Sequence, residues 1–453
     1  MFGYRITNAP HVSRKTALID ASHMVRNPVE VLEKYRLQLG ETFSFHFGGV
    51  RRAIVSTDPE FLHDVLKTNR DNYEKSDIQT ARMVEFQGTG LVNLHGQEWL
   101  RERKLMARGF SGKRLAELLP LQQSLLSEWM QRFELDAEQG PVDMHDQMVH
   151  LTLGLVGTSI FGRAMTEAEL QQIADTISDI QGFVVRQIVK PYLIPWYRIS
   201  GESEKYQALR RSADQLVLAH IAARRLEGTG EHDLLRILLN EPYHDTGQPM
   251  SEAQALIESI QMMVAGNETS SNALTWVFYL ISRHQEHAAL IRNEVEATIG
   301  DGPMDYASLG NLTYTTQVIQ ECLRLYPPFW MIDRMAIKDD EIKGIKIPAG
   351  TMVIPYIYGT HRNPAVWVDP DKFDPSRFSP DQVKARHPLS YIPFGGGPRV
   401  CIGNNLAMMQ ILLIVATLLR RYDFSTTRSE PLGIRPMMLL RPDGPVPLWA
   451  KRR

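Results

Sequence analysis

The sequence predicts a mainly α-helical protein with small β-sheets (α+β), and three observations carry that prediction. Helical periodicity dominates residues 114–135, 203–226, 251–283, 285–298 and 314–326. Strand-like patterning is confined to short stretches at about 41–58, 345–358 and 430–450. Apolar residues make up 43% of the 453, ample for a large core, and no Gly/Ser linker, charge block or repeat at solenoid spacing divides the chain. The expectation is therefore one domain over residues 1–453.

In chain order, residues 41–58 alternate, with Phe43, Phe45 and Phe47 followed by Val50 and Ile54 after Gly48-Gly49, which signals a hairpin. The stretch from Ser251 to His284 is long and apolar at both ends, and Ser251 with Gln254 makes a capping box for its start. As one helix it would run about 50 Å. Its middle, Ala265-Gly266-Asn267-Glu268-Thr269-Ser270-Ser271-Asn272, is polar. Such residues cost stability in a helix interior, so this stretch alone reads equally as two helices joined by a loop. Ile345 to Tyr358 is strand-like and broken by Pro348-Ala349-Gly350, whereas Leu406 to Leu419 reads as a buried helix before a strand-rich tail.

The net charge of −2 gives no bulk preference for nucleic acid or an anionic membrane. Two cysteines suit a reducing compartment. The first eight residues lack the apolar core of a signal peptide or anchor, and the longest apolar run, Ile411 to Leu419, is too short to span a bilayer. A cytoplasmic protein without a membrane anchor is expected.

The most informative segment is Phe394-Gly395-Gly396-Gly397-Pro398-Arg399-Val400-Cys401-Ile402-Gly403. It places a cysteine in a glycine turn just before a helix, where unpaired N–H groups and the positive end of the dipole favour a thiolate. Glycines let a flat ligand approach the backbone. Taken singly, Cys401 also reads as an inert core cysteine, half of a disulfide or a zinc ligand. Two cysteines cannot build a Cys-rich zinc or iron–sulfur set, and the other one, Cys322, falls inside a predicted helix.

This segment resembles the haem-binding loop of the cytochrome P450 family, F-x-x-G-x-R-x-C-x-G, at Phe394, Gly397, Arg399, Cys401 and Gly403. The resemblance covers nearly the whole chain and is to the soluble bacterial type. It implies the family's fold, with haem b between a long central helix and the Cys-loop helix. Cys401 is then the iron ligand, with Phe394, Gly395, Gly403 and Ala265 against the cofactor. Ala265-Gly266-Asn267-Glu268-Thr269 matches the A-G-x-E-T signature, in which a groove beside Gly266 leaves room for dioxygen and Glu268 with Thr269 relays protons. Trp99, Arg103, Arg334 and Arg399 match the positions that hold the haem propionates, and His95 is a further candidate. Glu321 and Arg324 match the E-x-x-R helix, with Arg377 third in that scaffold network. A substrate pocket walled by the 76–94 loop, Met262, Ala265, Gly266 and Trp330-Met331-Ile332 is implied, as is a lid from 183–197.

The function so implied is that of a haem-thiolate monooxygenase, which activates O2 to hydroxylate or oxidatively O-dealkylate a small organic substrate. The chain carries no reductase motif and no ferredoxin cysteine set, so electrons, ultimately from NAD(P)H, come from a separate ferredoxin or flavodoxin with its reductase. The basic run Arg101 to Arg108, with Lys113-Arg114, is a candidate docking face or simply a solvated one. Residues 41–75 and 91–110 are similar to members that demethylate 6-O-methyl-galactose from algal polysaccharide, which is the specific alternative. A peroxygenase or isomerase on the same scaffold is disfavoured by the Glu268–Thr269 pair. A non-enzymatic haem sensor or electron carrier is the alternative from another class.

Overall fold

The computed structural model describes residues 7–47, 51–76, 84–226, 233–300, 302 and 304–453. Helices form where the periodicity places them: Gly112–Gln139, Glu202–Leu226, Glu252–Arg283, Gln285–Thr298, Thr313–Leu325 and Asn404–Arg421. Met144–Phe161 and Glu167–Val189 are added to that set. Met144–Phe161 is buried on nearly every face, which erases the amphipathic signature a pattern reading relies on.

The central stretch is one uninterrupted helix, Glu252–Arg283. Several of its polar side chains turn back onto the helix or onto a neighbour. Thr269 Oγ1 donates to the Ala265 carbonyl at 2.7 Å and Thr275 Oγ1 to Ser271 at 2.7 Å, while Thr152 donates to Asn267 Oδ1 at 2.8 Å. Only half of the capping box forms. Ser251 accepts the Gln254 N–H at 3.2 Å, but the Gln254 amide turns to the Thr89 carbonyl and to Glu258, each at 3.0 Å.

Two compact units make up the chain. The first comprises Met1–Thr80, Gln320–Cys401 and Ile434–Arg441. It holds a five-stranded sheet in the order Thr42–Phe47, Arg51–Ser56, Met352–Pro355, Arg334–Ala336, Tyr73–Glu74. The hairpin pairs antiparallel with Phe43 opposite Val55 and Phe45 opposite Ala53. Alternation along Arg51–Ser56 sends Ala53 and Val55 into one buried cluster and Ile54 into another, so both faces of the sheet are covered.

The second unit comprises Ala81–Ile319, Ile402–Gly433 and Pro442–Arg453. The central helix packs along Met144–Phe161, and residues from Leu91 to Met263 share one apolar core. The tail supplies Tyr422–Ser425 and Pro447–Arg452, which join Val142–Asp143 in a three-stranded sheet. Among the described residues, no helix is long and apolar enough to cross a membrane.

Candidate functional site

The predicted site residues fall in both units. In the first unit the cysteine loop is a string of tight turns. The Gly395 N–H donates to Ile392 at 3.0 Å, the Val400 N–H to Gly397 at 3.1 Å and the Cys401 N–H to the Phe394 carbonyl at 2.9 Å. Gly397 has φ +69°, and a Cβ there would lie 1.9 Å from the Leu66 carbonyl oxygen, so no other residue fits. Both cysteines are free thiols, which removes the disulfide reading; Cys322 is buried and Cys401 is exposed. Burial, with Glu321 beside it, pushes the Cys322 thiol well up, leaving Cys401 as the cysteine able to meet a ligand.

Three cations gather in the same unit. Lys75, partly buried one position past the Tyr73–Glu74 strand, is pulled down to about 7 by burial and by the like charges of Arg334 and Arg399. Asp333, a carboxylate among them, is pushed up by burial and accepts from the Ser76 hydroxyl, while Arg334 donates to the Asp333 carbonyl at 2.7 Å. The like charges raise one another's cost of burial, which an anionic group brought near would ease. Lys75 escapes sequence reading because no motif marks it. Alternation, with Tyr73 buried and Glu74 exposed, was the only available signal.

Glu321, Arg324 and Arg377 come together within the first unit. Glu321 and Arg324 are both fully buried. Arg324 Nε and Nη2 meet the Glu321 carboxylate at 2.7 and 2.8 Å, and Arg377 Nε lies 3.4 Å from Glu321 Oε1.

In the second unit, Ala265 and Thr269 lie one turn apart on the more open face of the central helix, while Glu268 is buried. A Cβ at Gly266 would sit 2.9 Å from Val156 Cγ2, so this glycine permits close packing on Met144–Phe161. His95 occupies the N-cap position of Gly96–Met106; within that helix the Arg103 guanidinium lies 5.6 Å from the Trp99 ring centre.

The implied pocket residues divide. Trp330 is core, not wall: it is 3% exposed, its indole N–H donates to Met437 at 3.0 Å, and it packs with Tyr356. Met331 packs against that same cluster and Ile332 against the neighbouring one, so both also serve the core of the first unit. Met262 packs on the core of the second unit. Within the implied lid, Phe183 is fully buried and stacks on Tyr206 at 4.2 Å, whereas Tyr192 and Trp196 are exposed. Of the 76–94 loop, residues 77–83 lie outside the described residues.

A family model described as "Cytochrome P450" matches residues 16–448. Among similar curated proteins, taurochenodeoxycholic 6 alpha-hydroxylase of Sus scrofa is 29% identical over 87% of this chain and 81% of its own length. Cyclooctat-9-en-7-ol 5-monooxygenase of Streptomyces melanosporofaciens is 27% identical over 83% of this chain and 80% of its own. Cyclooctatin synthase of the same organism is 28% identical over 92% and 90%. With the cysteine motif intact on its turn and the match spanning nearly every residue, the chain belongs to the cytochrome P450 family of monooxygenases.

Proposed function

We propose that this chain binds haem b through the Cys401 thiolate and uses dioxygen to hydroxylate or O-dealkylate a small organic substrate. The observation that carries the reading is the exposed Cys401 on its glycine turn, in the same unit as the Lys75, Arg334 and Arg399 cluster. A thiol that can ionise, a backbone shaped for close approach and three clustered cations suit a flat iron porphyrin bearing two carboxylates. Lys75, Arg334 and Arg399 would hold those carboxylates, joined by Trp99, Arg103 and His95 on family position. Bound haem supplies the electron-accepting, oxygen-activating centre. Two of the relatives are named for a hydroxylation or a monooxygenation, which supports that reaction class here. The reduced protein with carbon monoxide should give the strongly red-shifted band of a thiolate-ligated, open haem; an unshifted band would sink the reading.

Proton delivery falls to the central helix. The Thr269 hydroxyl spends its hydrogen on the Ala265 carbonyl at 2.7 Å, so its oxygen lone pairs stay free to accept, and Glu268 is the acid that resupplies protons along the helix. Thr269→Ala should raise peroxide released per product molecule and lower productive turnover by roughly one to two orders of magnitude. Unchanged coupling between electron use and product would remove Thr269 from the mechanism.

Electrons are proposed to come from a separate ferredoxin or flavodoxin. The basic run is more neutralised than its sequence implies: Arg108 pairs with Glu241 at 2.7 Å, Arg114 with Glu117 at 2.9 Å, and Arg101 lies over the Tyr243 ring at 4.8 Å, leaving Lys104 exposed. Reversing Arg101, Lys104 and Arg108 to Glu should slow reduction by about tenfold at low salt and flatten its salt dependence. If stopped-flow reduction keeps its rate and salt slope, this face is not the docking site.

A further inference from the structure

The turn between the central helix and Gln285–Thr298 reads Arg283-His284-Gln285-Glu286-His287 and lies wholly in the second unit. Three of its side chains converge. His284 Nδ1 lies 3.3 Å from Glu286 Oε1, and His287 Nε2 lies 4.0 Å from that same oxygen. One donor atom from each of the three falls within 4.8 Å of the others. A tetrahedral zinc ion holds nitrogen and oxygen ligands at about 2.0–2.2 Å, which sets them roughly 3.3 Å apart. The first distance already meets that spacing, and small side-chain rotations bring in the rest.

A surface imidazole–carboxylate hydrogen bond would account for His284 and Glu286 alone. His287 adds a feature that such a pair does not need. Its side chain is only 18% exposed, and its Nδ1 lies 2.6 Å from the Tyr314 hydroxyl, on Thr313–Leu325. Tyr314 is itself fixed, because its main-chain N–H donates to Glu294 at 2.6 Å. With the ring proton on Nδ1 facing the Tyr314 oxygen, Nε2 has no proton to offer Glu286, and a cation between them satisfies both acceptors. A histidine whose second nitrogen is held by a hydrogen bond is the usual ligand at zinc. The adjacent cation is engaged elsewhere: Arg283 lies over the Tyr279 ring at 5.9 Å and donates to the carbonyls of Arg428 and Ser429 at 3.2 and 3.3 Å. The turn follows the carbonyl end of one helix and precedes the amide end of the next, so the two dipoles roughly offset.

We propose that His284, Glu286 and His287 bind a zinc-class dication, with water completing the coordination, and that Tyr314 is the positioning residue for His287. The ion clips the end of the central helix to the start of Gln285–Thr298. Two imidazoles and one carboxylate suit zinc, copper or nickel, whereas magnesium and calcium seek oxygen ligands alone. The site shares no residue with the proposed haem site, and its assignment does not rest on the monooxygenase reading.

Calorimetry on the untagged, haem-loaded protein tests this with Zn2+ and Mg2+ as probes. Zn2+ should bind at least about tenfold more tightly than Mg2+; a smaller preference, or no heat from zinc, overturns the site. His284→Ala and His287→Ala should each weaken zinc by about tenfold or more. Unchanged affinity in either means an adventitious ion only, and overturns the location. Glu286→Gln, a near-isosteric change on an exposed side chain, should weaken zinc by a similar factor, so that a loss in the histidine variants cannot be laid to misfolding; zinc bound as in wild type overturns the carboxylate as a ligand. Tyr314→Phe keeps all three ligands and should still cost about tenfold. If it costs nothing, Tyr314 does not position His287. Thermal unfolding reads the clip. Saturating Zn2+ should raise the wild-type midpoint by about 2–5 °C and leave the variant combining His284→Ala with His287→Ala unmoved. A wild type that binds zinc without any shift overturns the clip.

Discussion

Cys401→Ser should abolish the red-shifted carbon monoxide band and lower turnover by several orders of magnitude, while part of the haem stays bound. Ligand charge decides the outcome. A serine hydroxyl does not ionise at neutral pH, whereas a thiol ionises far more readily, and Cys401 stands exposed on its glycine turn. An anionic sulfur donates electron density to iron in a way a neutral oxygen cannot. The fold should survive, because the loop is fixed by main-chain bonds, among them the Cys401 N–H to the Phe394 carbonyl at 2.9 Å, which serine also makes. The Lys75, Arg334 and Arg399 cluster is independent of the sulfur and would go on attracting the carboxylates. The decisive comparison is haem content by extraction beside the carbon monoxide spectrum. Haem retained with the wild-type band would show that Cys401 is not the ligand.

That prediction could be written from ten residues of sequence, because backbone geometry and chemistry coincide there. Each glycine reports a main-chain constraint, as Gly397 against Leu66 illustrates, so the spacing itself encodes the loop's shape. The long helices were legible for a similar reason: three or four turns of periodicity survive local exceptions, and even the polar middle of Glu252–Arg283 stays helical, with several side chains bonding back to it. What stayed hidden depends on packing between segments distant in sequence. Nothing local to Gly266 in the sequence announces that Val156 packs against it. Trp330 read as a pocket wall, but its indole N–H is spent on Met437, more than a hundred positions away. Lys75 and Glu258 carry no motif, and become informative only through neighbours that tertiary structure supplies: Arg334 and Arg399 for one, Glu102 and the Leu91 amide for the other. Motifs speak for chemistry that depends on local spacing. They are silent about a charge whose meaning comes from burial.

Arg324→Ala should cost about 3–5 kcal/mol and leave little soluble, haem-competent protein. A buried ion pair is by itself weak evidence for stability, since desolvation of both charges offsets their attraction. Arg324 does more than pair. Beyond Glu321, its Nη1 donates to the carbonyls of His361 and Pro370, each at 2.7 Å, and its Nη2 to Lys372 at 3.2 Å. Its removal therefore takes the forked partner from a fully buried Glu321 carboxylate, which keeps Arg377 at 3.4 Å and the Asp374 N–H at 2.9 Å, and leaves three main-chain acceptors unserved by it. The damage reaches the cysteine loop through His361. That ring accepts the Ile392 N–H at Nε2, 2.8 Å, so its Nδ1–H faces the Arg324 carbonyl at 3.1 Å. Burial, with the Arg324 charge next to it, holds His361 well below its ordinary range, so this neutral tautomer persists. Ile392 lies two residues ahead of Phe394, the carbonyl that fixes Cys401. Arg324→Lys should rescue only a small part of the loss, because an ammonium is a point charge that cannot serve a carboxylate and three divergent carbonyls at once. Replacing both charges, Glu321→Leu with Arg324→Met, should recover more than either single change by removing a carboxylate that has lost its forked partner, yet stay below wild type because the carbonyls of His361, Pro370 and Lys372 remain unserved. Thermal unfolding followed by haem absorbance ranks the four proteins. A double variant as stable as wild type would mean that Arg324 acts only as a counter-charge, and that the link from this helix to the cysteine loop does not run through its hydrogen bonds.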